Sequence, residues 1–147
     1  MIRNIFASLA ALMLAACGAQ PNERTYDRDP SLPQDLPFSS AVVIGDTIYL
    51  SGEVGRAPGG TTIVEGGVGA ETTQIFENYK ITLARLDSDL SDIVKCTVFL
   101  DDMEKFAEMN TAYAEFFPGD KPARSTLGAD GLAVGAAIEI ECLAIRK

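Results

Sequence analysis

Apolar and polar positions change period several times along the chain. Ala41-Val42-Val43-Ile44 and Thr47-Ile48-Tyr49-Leu50-Ser51 are two short runs rich in β-branched and aromatic residues, separated by Gly45-Asp46. That pattern predicts a hairpin, with Gly52 ending its second strand. Thr61 to Val64 lies between Pro58-Gly59-Gly60 and Gly66-Gly67 and reads as a short extra strand. From Gly69 to Leu86 the period lengthens, with Ile75, Tyr79, Leu83 and Leu86 recurring at three- and four-residue intervals, which predicts a helix. Ile93 to Leu100 reads as a strand. Asp102 to Phe117 reads as a second helix with Phe106, Met109, Tyr113 and Phe116 on one face, stopped by Pro118-Gly119. Ala123–Leu127 and Ala136–Ile145 complete the set as strands.

The order ββ(β)αβαββ implies an α+β fold, a mixed sheet of five to six strands with two helices on one face. Two helices cover only one face of such a sheet. Val42 beside Val43, Ile48 beside Tyr49 and Val98 beside Phe99 make several strands apolar on both faces. The uncovered face therefore calls for a second surface, and the expectation is an oligomer.

The first residues follow another rule. Arg3 precedes an apolar stretch from Ile5 to Leu14, too short to span a membrane, and Leu14-Ala15-Ala16-Cys17 follows. The run resembles a bacterial lipobox. The expectation is a signal peptide over 1–16, lipidation of Cys17, and a lipid anchor at the cell envelope, on the periplasmic face of the outer membrane. Residues 17–35, polar and broken by Pro21, Pro30 and Pro33, read as the lipidated cysteine and a flexible linker reaching about 25 Å. The folded domain is then 36–147.

Composition removes several chemistries. There is no histidine, which excludes histidine-ligated metals and histidine-based triads. The net charge is −9, so phosphate backbones are repelled and nucleic acid is not an expected partner. Three cysteines without CxxC spacing do not make a zinc site. Cys96 and Cys142 each fall in a strand, where a small buried residue is the ordinary occupant; free thiols are expected, with a disulfide as the alternative in an oxidising compartment.

Pro122-Ala123-Arg124-Ser125-Thr126 is followed after a Gly-rich turn by Ile138-Glu139-Ile140-Glu141. With Pro37-Phe38, Ser51-Gly52 and Asn110 in the second helix, these elements recur in the same order in the RidA/YjgF family, which the chain resembles from about Leu36 to its end. The resemblance implies a trimer with ligand clefts between subunits. It also implies hydrolytic deamination of small 2-imino or 2-enamino acids to 2-oxo acids and ammonia, without a cofactor. Arg124 would hold the substrate carboxylate and Glu139 would activate water. Phe38, Ser51, Asn110 and Thr126 would line the substrate site. The family commonly has tyrosine where Phe38 stands, so one hydroxyl is lost. A non-catalytic trimer that binds small carboxylates is the alternative. Within the last strand, Ile138, Ile140 and Cys142 share one face and Glu139 and Glu141 the other. Isoleucines in the helix-covered core would leave the glutamates on the open face.

Overall fold

A computed structural model describes residues 23–146. The strands are β1 (Arg24–Asp27), β2 (Ala41–Ile44), β3 (Thr47–Val54), β4 (Ile93–Leu100), β5 (Ala123–Gly128) and β6 (Ile138–Ile145); the helices are α1 (Gly67–Arg85) and α2 (Phe106–Glu115). They form one six-stranded sheet in the order β1-β2-β3-β6-β4-β5. Only β4 and β5 run parallel, and α2 makes the crossover that parallel neighbours require. The expected α+β class, a mixed sheet with two helices, is the architecture found.

Gly45 takes the left-handed backbone (φ 59°) that lets two residues turn β2 into β3. Alternate positions then build a single core. Ile48 and Leu50 of β3, Cys96, Val98 and Leu100 of β4 and Ile138, Ile140 and Cys142 of β6 are buried with Ile75, Phe76, Tyr79 and Leu83 of α1 and Met109 and Tyr113 of α2. Phe76 lies at the centre of the aromatic packing, within 4.9–5.3 Å of the rings of Tyr113, Phe116 and Phe117. The other sheet face is open and carries Tyr49 and Leu127, both exposed, with half-buried Val42, Phe99 and Leu143. Thr61–Val64 forms no strand of its own; one isolated bridge joins Arg56 and Ile63.

Two expectations are corrected. The linker expected over 17–35 is folded from Arg24 onward: β1 pairs with β2 along Arg24↔Ile44 to Asp27↔Ala41. Its residues, Arg-Thr-Tyr-Asp, have no apolar alternation, so periodicity misses them. Charge holds the segment instead. Arg85 forks onto Asp27 (Nε–Oδ1 3.2 Å, NH2–Oδ2 2.7 Å), and Arg56, only 7% exposed, pairs with both Asp29 and Glu53 at 2.8 Å. Asn78 adds a donor to Glu53 at 3.1 Å. Burial pushes the Glu53 carboxyl up despite Arg56. Burial also acts upward on Asp29, but Ser31 and Arg56 together bring it below its ordinary value. The start of the folded part therefore lies upstream of residue 36. Cys17 and residues 1–16 lie outside the described residues.

The second correction concerns the cysteines. Cys96 and Cys142 stand directly opposite each other on antiparallel β4 and β6, with Cα atoms 4.1 Å apart, and form a disulfide instead of two free thiols. Alternation places each on the inner face, but only the register between strands makes them neighbours.

Arg56→Ala should destabilise the fold by about 3–5 kcal/mol at neutral pH, because it leaves two buried carboxylates without their shared cation; urea denaturation measures this. Reducing the disulfide should cost about 2–5 kcal/mol, with the reduced and oxidised proteins compared in the same titration.

Candidate functional site

β3 holds one residue more than β6 opposite it. Leu50 pairs with Cys142 and Glu53 with Ile140, so three steps on β3 face two on β6. The surplus is a β-bulge at Ser51-Gly52. It leaves backbone to satisfy, and the buried Tyr79 phenol stands 3.0 Å from the Ser51 carbonyl and 2.5 Å from that of Ile140. The bulge also shifts which side chains share a face. Glu53 joins Ile140 on the helix side, while Val54 joins Glu139 on the open side.

Glu139 uses this arrangement. A Cβ built on Gly52 would collide with Glu139 Oε1 and stand 3.0 Å from its Cδ, so residue 52 must lack a side chain for the carboxylate to lie there. Glu71 of α1, itself buried, accepts a hydrogen bond from the N–H of Ala137 at 2.9 Å and so fixes the entry to β6. Gly55 permits that close approach, since a Cβ there would meet Glu71 Cα at 2.6 Å. Glu139 then lines a cleft of about 420 Å³ with Ser51, Phe38, Val54, Leu36 and Val134 among its walls. Partial burial raises the Glu139 carboxyl above its ordinary value, and the like charge of Glu141 adds to this.

Within the cleft, Phe38 presents its ring half-exposed. Ser51 donates its hydroxyl to the Ser39 carbonyl at 2.6 Å, and its N–H to the Ser40 carbonyl at 3.0 Å. Its proton is thus already engaged in holding the Phe38 segment against β3.

Arg124 belongs to a second cluster. On β5 it pairs in register with Cys96, so its side chain rises on the helix face. NH2 donates to Asn110 Oδ1 at 2.6 Å, NH1 is 3.7 Å from Met109 Sδ, and the guanidinium carbon lies 4.7 Å from the Tyr113 ring centre and 5.7 Å from that of Phe106. Thr126, two residues on, shares this face opposite Val98. Among the described residues no carboxylate pairs with Arg124, so a half-buried cation keeps most of its five donors uncommitted. Burial pushes the Tyr113 phenol up to about 12, partly opposed by Arg124.

The predicted residues thus fall into two groups. Phe38, Ser51 and Glu139 converge on the cleft; Arg124 meets Asn110 at α2, and Thr126 lies two residues further along β5 on the same face. One chain does not bring Arg124 to Glu139, because the two project from opposite faces of the sheet. Leu32, Leu36, Ala133 and Val134 were not anticipated as cleft residues. Val134 is unusual among them: a β-branched residue at φ 53°, between Gly131 and Gly135, which also have positive φ.

Comparison with known proteins places this geometry. A family model described as Endoribonuclease L-PSP matches residues 31–146. Protein MMF1, mitochondrial, of Saccharomyces cerevisiae is 37% identical over 115 residues, 78% of this chain and 79% of that protein. The 2-iminobutanoate/2-iminopropanoate deaminase of Homo sapiens is 37% identical over 110 residues, 75% of this chain and 80% of the relative. The crystal structure of the YjgF gene product from E. coli superposes with a TM-score of 0.76 at 30% identity, over 84% of this chain and 99% of that one. The mitochondrial relative corrects the envelope location and lipid anchor expected from residues 1–17, whose own residues lie outside those described. Imine deamination is an activity of the family, by the names of its members. From the matched model, the relatives and the shared fold, the chain belongs to the RidA/YjgF family.

Proposed function

We propose that the protein hydrolyses the C=N bond of small 2-imino acids, or of their 2-enamino tautomers, in a cleft completed by a neighbouring copy of the chain. The observation that carries this reading is the pairing of complementary halves. Among the described residues, Glu139 sits in a cleft that holds no uncommitted cation, and Arg124 presents a cation without a carboxylate on the opposite face, at the edge strand. A trimer in which the Arg124 face of one copy meets the Glu139 cleft of the next supplies both to one substrate. The apolar open face, with Tyr49 and Leu127, supports such an assembly.

In that composite cleft the Arg124 fork grips the substrate carboxylate through parallel charged hydrogen bonds, and Asn110 and the Tyr113 ring hold the fork in place. Glu139 takes a proton from a water molecule as the water oxygen bonds to the imine carbon. The π electrons of C=N move to nitrogen, which is protonated, giving a carbinolamine. Glu139, having returned its first proton to that nitrogen, then passes the hydroxyl proton to it as well; the C–N bond breaks, and nitrogen departs as ammonia, leaving the 2-oxo acid. An enamine first takes a proton at its β-carbon and enters as the imine. Holding the reactants in place supplies most of the effect, so no cofactor is needed.

A binding role without turnover is the second reading, favoured by Phe38, which lacks a phenol, and by the Ser51 hydroxyl, whose proton goes to Ser39. The net charge of −9 disfavours RNA as a substrate.

Arg124→Ala should keep the assembly, measured by sedimentation, and lower kcat/KM for an imino acid generated in situ by roughly 10- to 100-fold, the loss of a charged hydrogen-bond pair. Unchanged ammonia release would remove the mechanism. If wild type has no activity but a small carboxylate raises its Tm, the binding role stands instead. Because Glu139 acts deprotonated and its carboxyl titrates above the ordinary 4.5, kcat/KM should fall as pH drops through that raised value. Glu139→Gln should abolish this acid limb and lower the plateau about 100-fold or more.

A further inference from the structure

We infer that α1 sets the Glu139 carboxylate from behind: Glu71 and Tyr79 grip the β6 backbone on either side of it and act as positioning residues for the reaction. This rests on the imine-hydrolysis reading, and deepens it by naming what holds the base.

Among the described residues no hydrogen bond or ion pair reaches the Glu139 carboxylate, so its place depends on the backbone that carries it. That backbone is anchored from the helix side at two points. Upstream, the Ala137 N–H donates to Glu71 Oε2 at 2.9 Å, and the Ala137 carbonyl accepts from the Asp101 N–H at 3.1 Å. Downstream, the Tyr79 phenol lies 2.5 Å from the Ile140 carbonyl and 3.0 Å from that of Ser51 on β3. Glu139 stands between the two anchors.

Both groups are unfavourable occupants of their positions by packing alone. Glu71, Ile75, Tyr79 and Leu83 follow one another at four-residue intervals along the buried face of α1. Glu71 is 4% exposed and Tyr79 1%, and an apolar side chain would fill either place with no polar atom to satisfy. No cation pairs with Glu71 among the described residues. Burial pushes its carboxyl up, and the N–H groups of Ala137 and Ile138 oppose this. Hydrogen bonds in a core fix direction, which apolar contacts do not. Here they fix the direction of residues 137 to 140.

The grip on the substrate is separate, since Arg124 projects from β5 on the other face and serves the cleft of a neighbouring copy. Loosening the α1 anchors therefore displaces the base and leaves the carboxylate grip alone. It also admits water to Glu139, whose raised titration comes first from burial. The charged groups that face Glu139 are Glu141 on its own strand and Glu53 and Arg56 across the cleft, and all three are retained in the variants below.

The test uses the intact protein and an imino acid generated in situ from alanine, with ammonia release as the readout. Tyr79→Phe and Glu71→Leu should each lower kcat by about tenfold while KM stays within about twofold. In both, the acid limb of kcat/KM should move to lower pH, toward the ordinary carboxyl value of 4.5. Glu71→Gln keeps an acceptor for the Ala137 N–H and should recover most of the kcat lost in Glu71→Leu. Ile75→Val, between the two on the same helix face, should lower Tm and leave kcat and the limb in place. Tyr79→Phe keeps the ring, so it is expected to fold even if Glu71→Leu does not. Carboxyl-carbon NMR, with the Glu139 signal identified by its loss in Glu139→Gln, follows the same titration without turnover. An unmoved limb in Tyr79→Phe, or an equal fall in kcat in Ile75→Val, overturns the positioning role and leaves the catalytic reading in place. If wild type releases no ammonia, the catalytic reading fails and the NMR titration decides: a lowered Glu139 value in Tyr79→Phe upholds the anchors, and an unchanged one overturns them.

Discussion

Between Leu50 and Glu53 strand β3 is one residue longer than the strand beside it, and the geometry of the cleft depends on how that surplus is absorbed. Without the bulge, Glu53 and Val54 would exchange faces: a carboxylate would leave its partners Arg56 and Asn78, and a valine would enter the core. With it, Gly52 clears the space that the Glu139 carboxylate occupies. Tyr79 stabilises the irregularity from below, its phenol lying between the carbonyls of Ser51 and Ile140. A backbone irregularity, a glycine and one buried hydroxyl together position the Glu139 carboxylate.

Two kinds of arginine follow from two kinds of surroundings. Arg56 and Arg85 are neutralised by carboxylates of the segment they secure, and their role is to tie residues 24–36 to the domain. Arg124 has an amide, a thioether and aromatic faces around it instead. These neighbours orient a guanidinium without cancelling its charge. The difference separates cations paired with carboxylates from one that, among the described residues, has none, and it lies in the partners, not in the burial, since both kinds are at least partly enclosed.

How much of this was legible in the chain depends on the distance over which each signal acts. The hairpin, β4 and both helices could be read because their periods are local, and β4 begins and ends where its pattern does. Alternation along β6 correctly set Ile138, Ile140 and Cys142 against Glu139. What alternation cannot supply is the phase between strands. Arg124 and Glu139 were both recognisable as residues, but nothing along the chain says that they project from opposite faces. Cys96 and Cys142 were separately recognisable as buried, and their pairing is again a matter of register. β1 escaped notice for a different reason: it has no apolar face, and it is held by hydrogen bonds and ion pairs to residues dozens of positions away. Val134 gave no signal either, since its backbone angle is imposed by the closed structure.

The Cys96–Cys142 link has a mechanical side. Cys142 lies on the strand that carries Glu139, and Cys96 lies on the rung beside Arg124 of the outermost strand. A covalent tie thus joins the strand that carries Glu139 to the strand that pairs with Arg124's own. Shearing of β4 past β6, the slow deformation open to any sheet held by hydrogen bonds alone, would have to stretch this tie. In the proposed assembly each copy therefore offers its neighbours a ruler of set length, with the Arg124 cation near one mark and the Glu139 carboxylate near the other.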